Sequence, residues 1–546
     1  MTDAEKKVLD EEVVVESVDV EVGTMEDVDA IMKKFDRESN TRVWEGTPKK
    51  ILRYVLAAFM LFMVYMNLWA TWSGQIRRCL FVGFVILFTF FIYPVKKGNV
   101  KPNSMPWYDI LLAVAGCIPY FYYVANFKRI VAMGIAIGQT EVILGIIGTL
   151  VLAECCRRAV GLPILVVAGC FVLYAFIGRG MSLDLVVYNI FYTTNGIIGT
   201  PISVCSTYIA LFLLFGAFLE ASGCCDFIND IAISLTGKIK SGPALSAVVA
   251  SGLMGSINGS AVANVVGTGT FTIPLMKSRG YKPQFAGGVE AVASTGGQIL
   301  PPVMGSGAFL MVAFTEQKYI AIVIAAVIPA LLYYWGCAVA VMSQTEIAHV
   351  TLMDPKDIPK SREVMKDGWI YLLIIAVLLY CLLVAQYSPL YSALWATCAV
   401  PVVMLFDKKK RFTIKTIPSA MVKSGFSAMS IVIGCACAGI VVGMVSITGI
   451  GVIFGDMMIQ AAHSLLFPSL LFTAITCIVL GMGLPTTAAY VIAASILAPS
   501  LIKLGLAPLT AHLFVFYFAC LSAITPPVAL AAYARAGIAK TNPMTT

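Results

Sequence analysis

A dozen apolar runs, each near the length a helix needs to cross a hydrocarbon core, restrict this chain to one class of fold. A membrane span takes about 20 predominantly apolar residues. Runs of that order occupy 51–72, 79–95, 106–125, 141–157, 160–178, 199–221, 283–315, 319–343, 369–386, 389–405, 428–447 and 510–535. Lipid offers no partner to backbone N–H and C=O groups, so each run must satisfy its own and is expected to be helical. Two further apolar stretches, 243–276 and 467–502, are too long for one span and carry Gly, Ser, Asn or Pro at their centres. They read as helical hairpins that enter the bilayer and return. The expected fold is therefore all-α integral membrane, with about 12 transmembrane helices plus two re-entrant helical hairpins. The composition agrees: 59% hydrophobic and 12% charged, against about 25% charged in an average soluble domain. A water-soluble enzyme and a nucleic-acid binder are excluded.

Charge orders the runs across the bilayer. Residues 1–31 hold eleven Asp or Glu against two Lys within a chain of net charge +8, and 1–50 reads as an acidic cytoplasmic tail without signal-peptide character. Lys49, Lys50 and Arg53 place the N-terminus in the cytoplasm by the positive-inside rule. Alternation then makes Lys96, Lys97, Lys101, Arg157, Arg158, the loop 407–411, Arg535 and Lys540 cytoplasmic. Arg77, Arg78, Lys128 and Arg129 fall on the opposite side from the one the rule demands. The hairpin 243–276 is flanked by cytoplasmic basic residues at both ends, and 467–502 falls on the outer face. Fifteen Cys sit mostly inside apolar runs without zinc-site or disulfide spacing, as small buried hydrophobes do.

The chain repeats itself. A shift of about 226 residues lays 141–157 on 369–386, 160–178 on 389–405, 199–221 on 428–447 and one hairpin on the other. From the hairpin tip to the following Pro pair is 42 residues in the first copy (Gly259 to Pro301) and 41 in the second (Pro485 to Pro526). The stretches 181–198 and 412–427 also correspond and read as interfacial helices. Opposite faces for the two hairpins make the repeat inverted, the arrangement of secondary transporters whose sites lie at interrupted helices near the midplane. The organisation is then a tail (1–50), a first group of membrane helices (51–140), repeat 1 (141–345), a cytoplasmic linker (346–368) and repeat 2 (369–546). No counterpart of the span 319–343 follows the last run.

Four segments break helices at membrane depth: 255–260, 294–302, 481–487 and 522–527. Pro removes a backbone donor and Gly permits the unwound turn, and freed carbonyls survive in lipid only where they are buried or line a cavity. Small residues also ease helix packing, but four breaks paired by a repeat point to a site. Carbonyls with Ser, Thr and Asn oxygens form an uncharged oxygen shell suited to Na⁺, and half-helix N-termini favour an anion. Glu154, Glu220 and Glu290 are intramembrane carboxylates, functional candidates by type. A helix-end ion pair with Arg157 accounts equally for Glu154, and Glu290 stands closest to a break. His349, His463 and His512 lack metal-ligand spacing, and no hydrolase or nucleotide-binding motif occurs, so neither an enzyme nor an ATP-driven pump is expected.

The motifs Gly255–Asn264, Gly269–Met276, Val289–Gly305, Gly481–Tyr490 and Thr525–Leu530 together resemble the fused membrane component of a tripartite ATP-independent periplasmic (TRAP) transporter of the TAXI type. The resemblance spans about 140–540, and 51–140 would correspond to most of the small membrane subunit. It implies an elevator-type carrier in the bacterial inner membrane, driven by Na⁺ and without an ATPase subunit. A periplasmic TAXI-type solute-binding protein would deliver a small carboxylate. Carried over by position, one Na⁺ would sit near Ser256, Asn258, Ser260, Gly296 and Gly297. A second would sit near Gly481, Thr486, Thr487 and Thr525. The substrate would meet Gly259, Ser260, Pro301, Pro485, Thr486 and Pro526. A Na⁺- or H⁺-coupled anion carrier independent of any binding protein is the alternative, and a membrane sensor or receptor a third.

Overall fold

The computed structural model describes residues 40–95, 102–348, 350–407, 412–413, 415–463, 465–526 and 529–541. Most of the acidic tail, Lys96, Lys97 and Lys101, residues 408–411, His349 and Pro527 lie outside the described residues. The first group of helices is α1 (Gly46–Leu68), α2 (Gly74–Ile92), α3 (Trp107–Ala125) and the short α4 (Phe127–Met133). The first repeat comprises α5 (Gln139–Ala159), α6 (Pro163–Gly178), α7 (Leu183–Tyr192), α8 (Thr200–Ala221), α9 (Cys224–Thr236) and α10 (Gly242–Asn258). After α10 comes α11, which runs over 261–278 through a π-helical turn at Val265–Gly269. Then follow α12 (Pro283–Gly297), α13 (Ser306–Thr315) and α14 (Tyr319–Ile347). The second repeat holds α15 (Ser361–Val384), α16 (Pro389–Met404), α17 (Thr416–Thr448), α18 (Ile450–Ala461), α19 (Leu466–Gly481), α20 (Thr486–Lys503), α21 (Pro508–Leu521) and α22 (Leu530–Ala539). Among the described residues eight helices are long and apolar enough to cross a membrane, so the chain is an all-helical integral membrane protein.

Helix boundaries follow from the residues that make them. Pro163, Pro283, Pro389 and Pro508 each open a helix, where the missing N–H costs nothing. Gly259 closes α10 at φ +65°, a left-handed C-terminal cap. The two hairpins are α10–α11, turning at Gly259, and α19–α20, turning at 482–485. The two interrupted helices are α12–α13, broken at 298–305, and α21–α22, broken after Leu521. Close approach of backbones recurs at equivalent places. A Cβ on Gly255 would lie 2.7 Å from Gly297 Cα, and one on Gly481 would lie 2.4 Å from Ser522 Oγ. Each hairpin thus packs on its interrupted helix through residues too small to hold them apart, as small residues do in membranes.

The structure departs from the sequence reading in four places. First, 412–427 is not a separate interfacial helix. Its larger part belongs to α17, which runs unbroken for 33 residues. The corresponding α7 stops at Tyr192, and its Val187 and Phe191 fill the space over Gly145 and Gly148 of α5. Second, α9 and α18, which mix polar and apolar residues, occupy segments to which no helix was assigned. Third, Arg535 is no loop charge: its side chain is fully buried in α22. Fourth, two of the four basic residues at odds with the positive-inside alternation, Arg78 and Arg129, have partners that the sequence reading did not give them. Arg78 donates to Ile198 O at 3.0 Å, and Arg129 Nη2 pairs with Glu141 at 2.5 Å.

A buried ionic cluster joins the first helices to the first repeat. Asp109 of α3 is fully buried and pairs with Arg42 and, at 2.8 Å, with Arg158. Arg158 and Arg157 both bind Glu154 at 2.7 Å. Glu154 is therefore a helix-end ion-pair residue, and Glu220 pairs with Lys423. The fifteen Cys are free.

Candidate functional site at the helix breaks

The tip of the first hairpin is held by the break that follows it. Ser256 ends its helical ladder with a carbonyl that accepts from both Val303 N and Met304 N at 3.2 Å. The Ser256 hydroxyl turns back on Leu253 O at 2.8 Å, and Asn258 Oδ1 accepts from Ser260 N at 3.2 Å. Gly259 tolerates no side chain, since a Cβ there would meet Met304 O at 2.7 Å. Gly296 is equally constrained, its Cβ position lying 2.4 Å from the Tyr333 ring. Among the predicted residues, Ser256, Asn258, Ser260, Gly296 and Gly297 are therefore assembled around one turn of hairpin.

Tyrosines of α14 reach carbonyls on both sides of the start of the break. Tyr333 and Tyr334 donate to Val292 O and Ala293 O at 2.9 and 2.8 Å. Tyr319 donates to Pro302 O at 3.1 Å and also to Val303 O. This is the accounting that lipid imposes on irregular backbone, and a single helix performs it with three phenols.

One residue joins the two halves. Gln298, the first residue of the break, donates from Nε2 to Gly259 O at 3.2 Å and to Thr486 Oγ1 at 2.9 Å. Both hairpin tips are thereby attached to one amide. Its Oε1 is buried without a partner among the described residues, a free acceptor at the meeting point. Beside it Ser306, the first residue of α13, shares a hydrogen bond with Thr487. Thr486 and Thr487 open α20 after Pro485, so their N-terminal amides carry the positive end of a helix dipole. Gln298 stood inside a break on the sequence without being singled out. Its signal was a lone long polar side chain in an otherwise small-residue and Pro segment.

The second break is assembled differently. Gly481 abuts Ser522, but Thr525 Oγ1 donates back to Leu521 O at 2.9 Å within its own helix. Pro526 lines a cavity of about 610 Å³ with Gln284, Val289, Ile524 and Tyr533, a lining that includes neither Gln298 nor Thr486. Pro301 stays at the first break, cis-linked to Pro302. The structure thus brings Gly259, Ser260, Pro485 and Thr486 to one place and leaves Thr525 and Pro526 apart from it. Among the described residues no group of three His, Cys, Asp or Glu is arranged to hold a metal ion. His512 instead hydrogen-bonds Tyr490 at 2.9 Å in the core.

Helices of membrane length around two hairpins whose tips converge on a buried polar bridge define a multi-pass membrane protein organised about interrupted helices. The chain belongs to the family described as the tripartite ATP-independent periplasmic transporter, DctM component, whose family model matches residues 147–546. It is similar to the C4-dicarboxylate TRAP transporter large permease protein DctM of Pseudomonas aeruginosa, 25% identical over 59% of this chain and 74% of that protein. The corresponding large permease of Rhodobacter capsulatus is 22% identical over 70% of this chain and 87% of that protein. The sialic acid TRAP transporter large permease SiaM of Vibrio cholerae is 31% identical over 24% of this chain and 30% of that protein. The family is one of membrane permeases, not of enzymes, and the matched region contains both hairpins and both interrupted helices.

Proposed function

We propose that this chain is the membrane permease of a Na⁺-coupled carrier that takes up an organic acid handed to it by a periplasmic solute-binding protein of the TAXI type. The observation that carries the reading is the Gln298 bridge, in which one amide binds a backbone oxygen of the first tip, Gly259 O, and a hydroxyl oxygen of the second, Thr486 Oγ1. Na⁺ takes hard, uncharged oxygen ligands of this kind, as in other carriers with discontinuous helices. On this reading Ser256, Asn258, Ser260, Gly296 and Gly297 hold one Na⁺ at the first tip. Gly481, Thr486, Thr487 and Thr525 hold a second, with Thr525 drawn in when the ion binds. A carboxylate lies between the tips at Gly259, Ser260, Pro301, Pro485 and Thr486, facing the amide N-termini of α20, and Pro526 joins it only when the second break closes in with Thr525. Relatives named for C4-dicarboxylates and sialic acid support an acidic cargo. The hairpins and interrupted helices move together, elevator-fashion, against α1–α3 and α17 in the bacterial inner membrane, with the N-terminus in the cytoplasm and the two repeats inverted.

The test is uptake of radiolabelled carboxylates into proteoliposomes, with and without a Na⁺ gradient and with and without a TAXI-type binding protein. Uptake that requires both is the expected result. Uptake with Na⁺ alone would replace the tripartite reading by that of a carrier independent of a binding protein.

A further inference from the structure

Pseudo-symmetry exposes one pair of residues that the two halves do not share. Pro283 and Pro508 open the interrupted helices, and Pro301 and Pro526 mark their breaks, all at an offset of 225. On that offset Glu290 of α12 corresponds to Val515 of α21, and Arg535 of α22 corresponds to Leu310 of α13. All four side chains are fully buried. Of the two equivalent junctions, each made by one residue from either half, one is filled by two aliphatic side chains and the other by a carboxylate and a guanidinium.

The two charges stand on helices that pack against each other, Glu290 on α12 and Arg535 on α22. None of the three guanidinium nitrogens of Arg535 has a hydrogen-bond partner among the described residues. Gly269 marks the junction: a Cβ there would lie 3.1 Å from Glu290 Cγ and 3.5 Å from Ile538 Cδ1, three residues beyond Arg535. Four hydroxyls surround the carboxylate. Ser251 of α10 and Thr268 of α11 both reach Oε1, Thr272 of α11 reaches Oε2 at 2.8 Å, and Ser294 of α12 reaches Oε1 at 3.2 Å. Asn264 ties the same two arms by donating to Ser251 O at 2.7 Å. The carboxylate therefore holds both arms of the first hairpin to the interrupted helix, seven residues before the Ser251 arm ends at Asn258.

We propose that Glu290 and Arg535 are a buried inter-repeat charge pair that positions the first hairpin. The Glu290 carboxyl oxygens are the acceptors on which the hydroxyls of both arms converge. Hydrogen bonds to a charged acceptor are about twice as strong as neutral ones. The second hairpin has no such clamp, because its equivalent positions are Val515 and Leu310. The pair and the clamp rest on geometry.

The test uses the full chain purified in detergent or nanodiscs, with the variants Glu290→Gln, Arg535→Met and the double variant. Removing one partner leaves a buried charge uncompensated, whereas removing both does not. Each single variant is expected to shift the unfolding equilibrium by on the order of a hundredfold or fail to accumulate, and the double variant to recover most of that loss. A double variant as unstable as the sum of the singles, or singles as stable as the parent, overturns the pair. Hydrogen–deuterium exchange on the double variant reads the clamp. Exchange over 255–262 should quicken about tenfold or more while 482–487 stays unchanged, and equal protection at both tips overturns the clamp. Conservative Glu290→Asp should retain part of the protection. Neither readout needs a substrate or a binding protein, so failure here is separable from failure of the transport reading.

Discussion

Gln298 Nε2 donates to Thr486 Oγ1 at 2.9 Å across 188 positions of sequence, and so fastens the break in one repeat to the first helical turn of the other. The same nitrogen reaches Gly259 O. Whatever occupies the space between the hairpin tips must interact with this amide or displace it.

Replacing Gln298 by Leu removes both bonds while keeping similar bulk. Each is worth about 1 kcal/mol, and together they amount to about a tenfold or greater loss in uptake at subsaturating Na⁺. Stability should fall by no more than the two bonds together, about 2 kcal/mol, so the variant should still accumulate. Initial uptake rates against Na⁺ concentration make the comparison, and unchanged rates would remove Gln298 from the site.

Asn258→Leu and Thr486→Val take one polar ligand from each hairpin tip. Both are expected to raise the Na⁺ concentration giving half-maximal uptake before they affect folding, with Thr486→Val also losing the Gln298 bond. If Na⁺ dependence is unaltered in both variants, the ion assignment fails.

Two glycine contacts should respond differently to the same change. Gly481→Ala pushes a methyl to 2.4 Å from Ser522 Oγ, an overpacking worth about 1–3 kcal/mol, and Ser522→Gly in the same chain should relieve it. Gly255→Ala meets the backbone of Gly297 at 2.7 Å, which no side-chain substitution at Gly297 can relieve. Thermal unfolding of the three variants settles the point, and rescue is expected only for Gly481→Ala.

Asp109→Leu leaves Arg42 and Arg158 buried without their shared carboxylate. A loss of about 3–5 kcal/mol in stability is expected. Any protein that survives should keep the parental Na⁺ dependence, because the cluster lies among α3 and α5 and not at the hairpins. A shift in Na⁺ response at full stability would contradict this.

Charge stoichiometry is open to measurement. Two Na⁺ with a monoanion move one net charge, worth about 2.3 kcal/mol per 100 mV, so uptake of a monoanion should quicken when the interior is made negative. A dianion should be indifferent. Valinomycin-clamped proteoliposomes distinguish the two.

Backbone interruptions were legible in the sequence because Gly and Pro act locally. The hairpins, expected at 243–276 and 467–502, run over 242–278 and 466–503, and the offset of the Pro residues survives in the helix starts. Interactions made at long range were not legible. Asp109 stands in a helix of ordinary apolar character, and its two arginines come from 67 residues before and 49 after it. Arg535 looked like a loop charge because an arginine near an apolar run usually is one, and only the position of Glu290 makes its burial intelligible. The short helices α9 and α18 escaped because their mixed composition matches neither a span nor a turn.

The 33 residues of α17 extend roughly 50 Å at 1.5 Å per residue, while the hydrocarbon core is about 30 Å thick. Its counterpart is jointed between Tyr192 and Thr200, and the joint lies against α17 itself, where Gly439 and Gly443 admit the backbone of Asn195 and Gly196. A rod that outreaches its bilayer must lean or stand proud of it. One half of the protein therefore owns a mast and the other a knee bent around it. Any rocking of the hairpins against this frame would find one stiff side and one hinged side, however alike the two repeats are elsewhere.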